Sequence, residues 1–153
     1  MAKLYLVRHA DAGHRSGLEP DRDRELSRRG ERQAAALADQ LAAEPITRLL
    51  SSPYLRCRQT LQPLGQRLGL AVEPEDRLAE ATRVDDVLRL TDELAGTSVA
   101  LCSHGDVIPD LLDALARQGT RLKDDLRWQK ASTWVLTWDG DRLAKGRYLP
   151  PPG

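Results

Sequence analysis

Residues 4–9 have the sequence Leu4-Tyr5-Leu6-Val7-Arg8-His9, in which an apolar run stops abruptly at an arginine and a histidine. An apolar run of this kind predicts a short buried strand over residues 3–7. The same design occurs twice more, in Leu49-Leu50-Ser51-Ser52-Pro53-Tyr54-Leu55-Arg56 and in Leu101-Cys102-Ser103-His104-Gly105. We therefore expect three buried strands, each followed directly by Arg, His or Ser.

Helical patterns lie between these strands. The first helix is predicted to begin at Ser27, a good N-cap, after a polar loop over residues 10–26. The second is predicted to begin at Ser52-Pro53, an N-cap followed by an N1 proline, and Pro63 should kink or split it near residue 60. The remaining predicted elements are helices around residues 84–94 and 108–115, strands at 46–50, 70–72 and 98–102, and a hairpin of residues 131–138 and 142–149 joined by Asp139-Gly140.

Strands that alternate with helices indicate βαβ units, a mainly parallel sheet and helices on both of its faces. At 153 residues the chain has room for one core, and it contains no repeat or low-complexity linker. We therefore predict an α/β fold in a single domain over residues 1–153.

The charge balance argues against a nucleic-acid or membrane-surface binder. Lys and Arg total 23 and Asp and Glu total 23, so there is no basic excess to attract phosphates or lipid headgroups. Cys57 and Cys102 have no metal-type spacing, and the N-terminal apolar run is shorter than a signal sequence requires. We expect a cytoplasmic protein with two free, buried thiols.

The three strand ends should bring two arginines and two histidines into one crevice, because ligands collect at the carboxyl ends of parallel strands. The guanidinium groups of Arg8 and Arg56 can each bind two phosphate oxygens. A neutral imidazole, here His9, can attack phosphorus and split phosphoryl transfer into two steps. A protonated His104 can hold charge on the equatorial oxygens. This scheme needs no metal and no cofactor, and the histidines have no metal-ligand spacing.

Four ordered motifs resemble those of the histidine phosphatase superfamily, the phosphoglycerate mutase-like proteins. The match runs from residue 3 to about residue 115, with Ala10 where the family usually has glycine. The motifs are Leu4-Tyr5-Leu6-Val7-Arg8-His9-Ala10, the helix start from Arg24 to Ala34, Ser52-Pro53-Tyr54-Leu55-Arg56-Cys57-Arg58-Gln59-Thr60, and Ser103-His104-Gly105.

The resemblance implies a three-layer α/β/α sandwich whose mixed sheet places the strands before His9 and His104 side by side. It also implies that His9 is the phosphorylated nucleophile and that Arg8, Arg56 and His104 bind the phosphate. For the general acid it suggests Glu80, in Leu78-Ala79-Glu80. Asp106 is the alternative, and a leaving group that needs little protonation would make an acid dispensable.

The short chain resembles the phosphohistidine phosphatases of the SixA type, which implies an open site and a phosphohistidine on a protein as substrate. A nucleotide or sugar phosphate is the alternative, because the chain also resembles the phosphatase half of some actinobacterial Nudix-fused proteins. A non-catalytic anion-binding module is the third hypothesis.

We interpret Arg58 and His14 as solvated residues and Arg15 as a candidate substrate contact. Trp134 and Trp138 mark a hairpin edge that could pair with another strand.

Overall fold

The structure is a computed structural model that describes residues 1–13 and 19–153. Two residues considered above, His14 and Arg15, lie outside the described residues. Strands and helices alternate along the chain as the sequence predicts. Their bounds are β1 Lys3–Arg8, α1 Arg28–Leu41, β2 Arg48–Ser51, α2 Leu55–Leu68, β3 Val72–Pro74, α3 Val84–Glu93, β4 Val99–Ser103, α4 Val107–Arg117, β5 Arg121–Leu122, β6 Thr133–Asp139 and β7 Arg142–Leu149.

These strands form one mixed sheet in the order β3-β2-β4-β1-β6-β7-β5. The pairs β3–β2, β2–β4 and β4–β1 are parallel, whereas β6 runs antiparallel to both β1 and β7. The strands that precede His9 and His104 are direct neighbours, with Arg8 opposite Ser103 in the register. The carboxyl ends of β1, β2 and β4 therefore lie together at one edge of the sheet.

The core has two layers, one on each face of the sheet. Alternate residues of β1 divide between them: Leu4 and Leu6 pack with α3 and α4, while Tyr5 and Val7 pack with α1 and α2. This division follows from the period of two along a strand. The α/β fold with helices on both faces is thus confirmed as a three-layer α/β/α sandwich.

The start of α2 differs from the prediction. The helix begins at Leu55 with Tyr54 as its N-cap residue, and no side chain caps it. The hydroxyl of Ser52, predicted as the cap, instead lies 2.8 Å from a ring nitrogen of His104. The helix is not split at Pro63 but continues to Leu68, where Gly69 ends it in the left-handed conformation. The expectation that Ser52 caps a helix is therefore wrong.

The C-terminal hairpin forms as expected, with Gly140 at φ 65° in the turn. Its outer strand β7 is partly covered by the two-residue strand β5, which was not predicted. Both Trp134 and Trp138 are buried against α3 and α4. The two tryptophans therefore stabilise the core and do not mark an open edge. Over the described residues, no helix is both long enough and apolar enough to span a bilayer.

Candidate active site

The carboxyl ends of the three parallel strands β1, β2 and β4 are joined by backbone hydrogen bonds beyond the strands themselves. The amide of His9 donates to the carbonyl of Ser103 (3.1 Å), and the amide of Ser52 donates to the carbonyl of Cys102 (3.0 Å). An open cleft of about 530 Å³ lies at this edge of the sheet. Its lining brings the predicted site residues together, and the residues that line it are Arg8, His9, Arg24, Arg56, Glu80, His104, Gly105, Asp106 and Lys130.

The ring of His9 is buried and its tautomer is fixed by the backbone. Its Nδ1 lies 2.8 Å from the carbonyl oxygen of Ala10. A carbonyl can only accept a hydrogen bond, so Nδ1 carries the proton and Nε2 has a free lone pair. The segment after β1 that contains Ala10 is held by Thr60, whose hydroxyl accepts from the Ala10 amide (2.9 Å) and donates to the carbonyl of Arg56 (2.7 Å). The site thus presents an unprotonated imidazole nitrogen in a defined orientation.

Burial lowers the pKa of His9 from 6.5 to about 3. Charge repulsion from His104, Arg56 and Arg8 acts in the same direction, and the hydrogen bond to Ala10 opposes it. The histidine is therefore neutral at physiological pH, which is the state that a nitrogen nucleophile requires.

The lowered pKa of His9 predicts a pH-dependent loss of stability. Between its folded pKa of about 3 and its ordinary value of 6.5, the unfolded chain binds a proton at His9 and the folded chain does not. Stability therefore falls as the pH decreases through this range, by about 2 kcal/mol from this residue between pH 7 and pH 5. Urea unfolding at both pH values should show a smaller loss for His9→Gln than for the native chain, and equal losses would contradict the assignment.

Arg56, in the first turn of α2, is fully buried and held by acidic partners. One guanidinium nitrogen donates to the backbone carbonyl of Asp21 (2.9 Å), and the other to the carboxylates of Asp21 (3.2 Å) and Glu80 (2.5 Å). The guanidinium also lies 5.0 Å from the ring centroid of Tyr54. Its Nε atom is buried with no hydrogen-bond partner among the described residues. A buried N–H donor without a partner is energetically costly, so an anion that accepts from this Nε would be stabilised.

Arg8, at the end of β1, also lines the cleft. One of its terminal nitrogens donates to the carbonyl of Trp128 (2.8 Å), and its buried Nε has no partner among the described residues. The guanidinium packs on Gly105: a Cβ at this glycine would lie 2.7 Å from the Arg8 nitrogen. A side chain at position 105 would therefore have to shift the guanidinium of Arg8 from this position.

His104 faces His9, with 5.4 Å between the ring centroids. Its Nδ1 is buried, has no hydrogen-bond partner within residues 1–13 and 19–153, and lies 3.5 Å from Oε1 of Glu80, which is one-third exposed at the cleft. Asp106 also lines the cleft, but its carboxylate accepts from the amide of Ala81 (2.8 Å). The structure thus places Glu80 against both the buried arginine and the second histidine, whereas Asp106 supports the neighbouring turn.

The motif residues of α1 and α2 support the loop that carries the nucleophile. Gln33 accepts from the amide of Asp11 (2.8 Å), and Gln59 accepts from the amide of Leu26 (2.8 Å). At Gly30 a Cβ would lie 1.9 Å from the carbonyl oxygen of Asp11. These residues therefore hold the loop close to the helices and do not line the cleft. Arg58 is exposed and donates to the carbonyl of Pro53, as expected of a solvated residue.

Sequence reasoning missed several residues at the site. Asp21 could not be found because it contacts Arg56 from a polar loop 35 positions earlier. Arg24 and Lys130 line the cleft but show no pattern that separates them from other surface cations. Tyr54 packs edge-on against His104, with 4.8 Å between the ring centroids. Its position between Ser52 and Arg56 in the motif could have indicated that it lies at the site. Within residues 1–13 and 19–153, no group of three or more His, Cys, Asp or Glu residues is arranged to hold a metal ion.

Comparison with known proteins identifies similar sequences. A family model, the histidine phosphatase superfamily (branch 1), matches residues 4–85. An 8-oxo-(d)GTP phosphatase of Mycolicibacterium smegmatis is 35% identical over 97% of this chain, which spans about half of that protein (48%). An uncharacterized protein of Mycobacterium tuberculosis is 36% identical, with 97% of this chain and 96% of that protein covered.

Among solved structures, one assigned to a phosphohistidine phosphatase, SixA, of Agrobacterium tumefaciens is similar throughout. It superposes with a TM-score of 0.78 at 29% identity, and the match covers 98% of this chain and 99% of that one.

Proposed function

The chain belongs to the histidine phosphatase superfamily, and from this premise we propose that it is a metal-independent phosphatase that transfers a phosphoryl group to Nε2 of His9. The observation that carries the proposal is the state of this nitrogen. Nδ1 is occupied by the carbonyl of Ala10 and burial keeps the ring neutral. His9 lies in a cleft whose lining also includes the cations Arg8, Arg24, Arg56 and Lys130 and the carboxylates of Glu80 and Asp106.

The reaction follows two displacements. In the first, the Nε2 lone pair forms a bond to phosphorus while the bond to the leaving group breaks, and the leaving group takes the electron pair and a proton. In the second, water attacks the phosphohistidine, the P–N bond breaks, and phosphate is released. Arg8, Arg56 and His104 hold the equatorial oxygens through both transition states. The donors for this role are the Nε atoms of the two arginines and Nδ1 of His104, which have no hydrogen-bond partner in the described part of the chain.

Glu80 is our choice for the general acid. It lines the cleft, it is partly exposed, and its Oε1 contacts both Arg56 and His104. The same carboxylate can accept a proton from water in the second step. Asp106 is less suited because its carboxylate is engaged by the amide of Ala81.

A phosphohistidine on a protein is the substrate class that we favour. The cleft is open to solvent, which suits a phosphoryl group carried on a protein surface. The SixA structure covers nearly the same length at 29% identity. A nucleotide is the second candidate, supported by the 35% identity to an 8-oxo-(d)GTP phosphatase. Arg24 and Lys130 at the cleft would suit further phosphates of such a ligand.

A substrate panel in the presence of EDTA tests the proposal. Rates with a phosphohistidine peptide, 8-oxo-dGTP, 8-oxo-dGDP and a sugar phosphate should be compared for the native chain and His9→Ala. We expect kcat/KM for the phosphohistidine peptide to exceed the others by about tenfold or more. A preference for either nucleotide would select the second candidate. Loss of all hydrolysis on addition of EDTA would contradict the metal-independent mechanism.

A further inference from the structure

His104 has two distinct edges in the structure. Its Nδ1 lies on the side of Glu80 and the cleft and has no hydrogen-bond partner among the described residues. Its Nε2 lies on the opposite side, 2.8 Å from the hydroxyl oxygen of Ser52 and 3.6 Å from the sulfur of Cys57. Only a protonated Nδ1 can donate to a phosphoryl oxygen, so the chemistry depends on which nitrogen carries the proton.

The hydroxyl of Ser52 has limited choices because it is fully buried. It already accepts from the amide of Tyr54 at 3.2 Å. Within the described part of the chain, the structure gives it no acceptor other than Nε2 of His104. If Nε2 carried the proton of a neutral ring, the hydroxyl hydrogen of Ser52 would have no partner, and a buried unsatisfied donor is costly. The favourable arrangement has Ser52 donating to Nε2.

We propose, on the basis of the function proposed above, that Ser52 is a positioning residue that keeps the Nδ1 proton of neutral His104 directed at the phosphoryl group. When Ser52 donates to Nε2, the single proton of the neutral ring must reside on Nδ1. When the ring is cationic, both nitrogens carry protons and Nε2 donates to the oxygen of Ser52. In both protonation states, Nδ1 is a donor toward the cleft. Ser52 does not touch the substrate.

The two histidines then have complementary roles, and in each ring the role is set by the hydrogen bond of the nitrogen that does not face the phosphoryl group. The carbonyl of Ala10 accepts from Nδ1 of His9 and leaves Nε2 as a nucleophile. The hydroxyl of Ser52 donates to Nε2 of His104 and leaves Nδ1 as a donor. A hydrogen-bond acceptor next to His9 and a hydrogen-bond donor next to His104 thus give the two histidines different tautomers. The segment between β2 and α2 supplies Ser52 to the site, and the first turn of α2 supplies Arg56.

The test combines kinetics with a direct measurement of the tautomer. In Ser52→Ala, kcat for an aryl phosphate should fall by about 10- to 100-fold, as for loss of one oriented donor. Ser52→Thr keeps the hydroxyl and should recover most of the activity. Ser51→Ala is the matched control, since its hydroxyl is equally buried but donates to the carbonyl of Ser52 and does not reach His104. It should retain native kcat.

Long-range ¹H–¹⁵N NMR of the histidine rings reports the tautomer without any turnover. At a pH where His104 is neutral, the native chain should show a protonated Nδ1, and Ser52→Ala should shift the population toward protonated Nε2. A native chain with the proton on Nε2 would overturn the proposal, even if Ser52→Ala does not fold. Native turnover in Ser52→Ala would also overturn it. An inactive native chain with the expected tautomer would instead count against the proposed function alone.

Discussion

Replacing His9 with alanine should lower kcat for an aryl phosphate by about 10³-fold or more, because the variant has no nucleophile to form the covalent intermediate. Water would then have to attack phosphorus directly, with only the arginines and His104 to stabilise the transition state. Substrate binding should weaken far less, since the groups proposed to hold the phosphate remain. Initial rates over a range of substrate concentrations separate the two effects. The non-catalytic binding hypothesis predicts no turnover even in the native chain.

The control for His9→Ala is Arg58→Ala. Arg58 is exposed on α2, donates to the nearby carbonyl of Pro53 and does not line the cleft, so its loss should leave kcat unchanged. Circular dichroism and urea unfolding of each variant establish that loss of activity is not loss of the fold. A folded His9→Ala variant that keeps a tenth or more of native kcat would mean that another group accepts the phosphoryl group.

The second large effect is expected at Arg56. Arg56→Ala should lower kcat/KM by about 10³-fold, because it removes both a positive charge and oriented donors from the developing transition state. It also leaves the carboxylate of Glu80 without its buried cation, which should weaken binding of a dianion further through repulsion. Arg56→Lys keeps the charge but cannot donate in a planar fork. We expect it to recover less than a tenth of the lost activity.

Arg67→Ala provides the matched control for Arg56. Arg67 lies on the same helix, is exposed, and forms an ion pair with Asp39 at 2.6 Å on the protein surface. An exposed pair of this kind contributes little to stability, and the residue does not line the cleft. Equal losses of activity in Arg56→Ala and Arg67→Ala would show that α2 is sensitive to any change and that Arg56 has no special role.

The sequence predicts the sheet and the residues at its edge well, for a physical reason. An apolar run such as Leu4 to Val7 is driven into the core, so the chain leaves the sheet where the run ends. In a parallel sheet such exits share one edge. Arg8, His9 and His104 could therefore be placed in one cleft from the pattern of burial, and the structure brings them together there.

The parts that the sequence does not reveal depend on contacts between distant residues. Ser52-Pro53 has the local chemistry of a helix start, yet tertiary contacts delay α2 to Leu55 and engage the hydroxyl of Ser52 with His104. Asp21 reaches Arg56 from the loop before α1, and no periodicity marks it. The two-residue strand β5 is too short to carry a pattern. Each of these depends on packing that local propensity does not determine.

Glu80 lies between these two cases. The resemblance to the family suggests Glu80 as the general acid because of its position after β3. Its local sequence alone does not distinguish it from an ordinary carboxylate in a loop. The structure shows what the sequence could not, which is contact with Arg56 at 2.5 Å and with His104 at 3.5 Å. Its role as an acid remains a proposal that rests on this geometry.

The central claim is that a phosphoryl group passes through His9, and rapid-quench labelling tests it most directly. The native chain is mixed with a ³²P-labelled aryl phosphate, denatured at alkaline pH within the first turnovers, and digested for mass spectrometry. We predict label that is stable to base and labile to acid, located on the ring of His9 and absent from His9→Ala. Label on another residue, or rapid turnover with no labelled chain at any quench time, would contradict it.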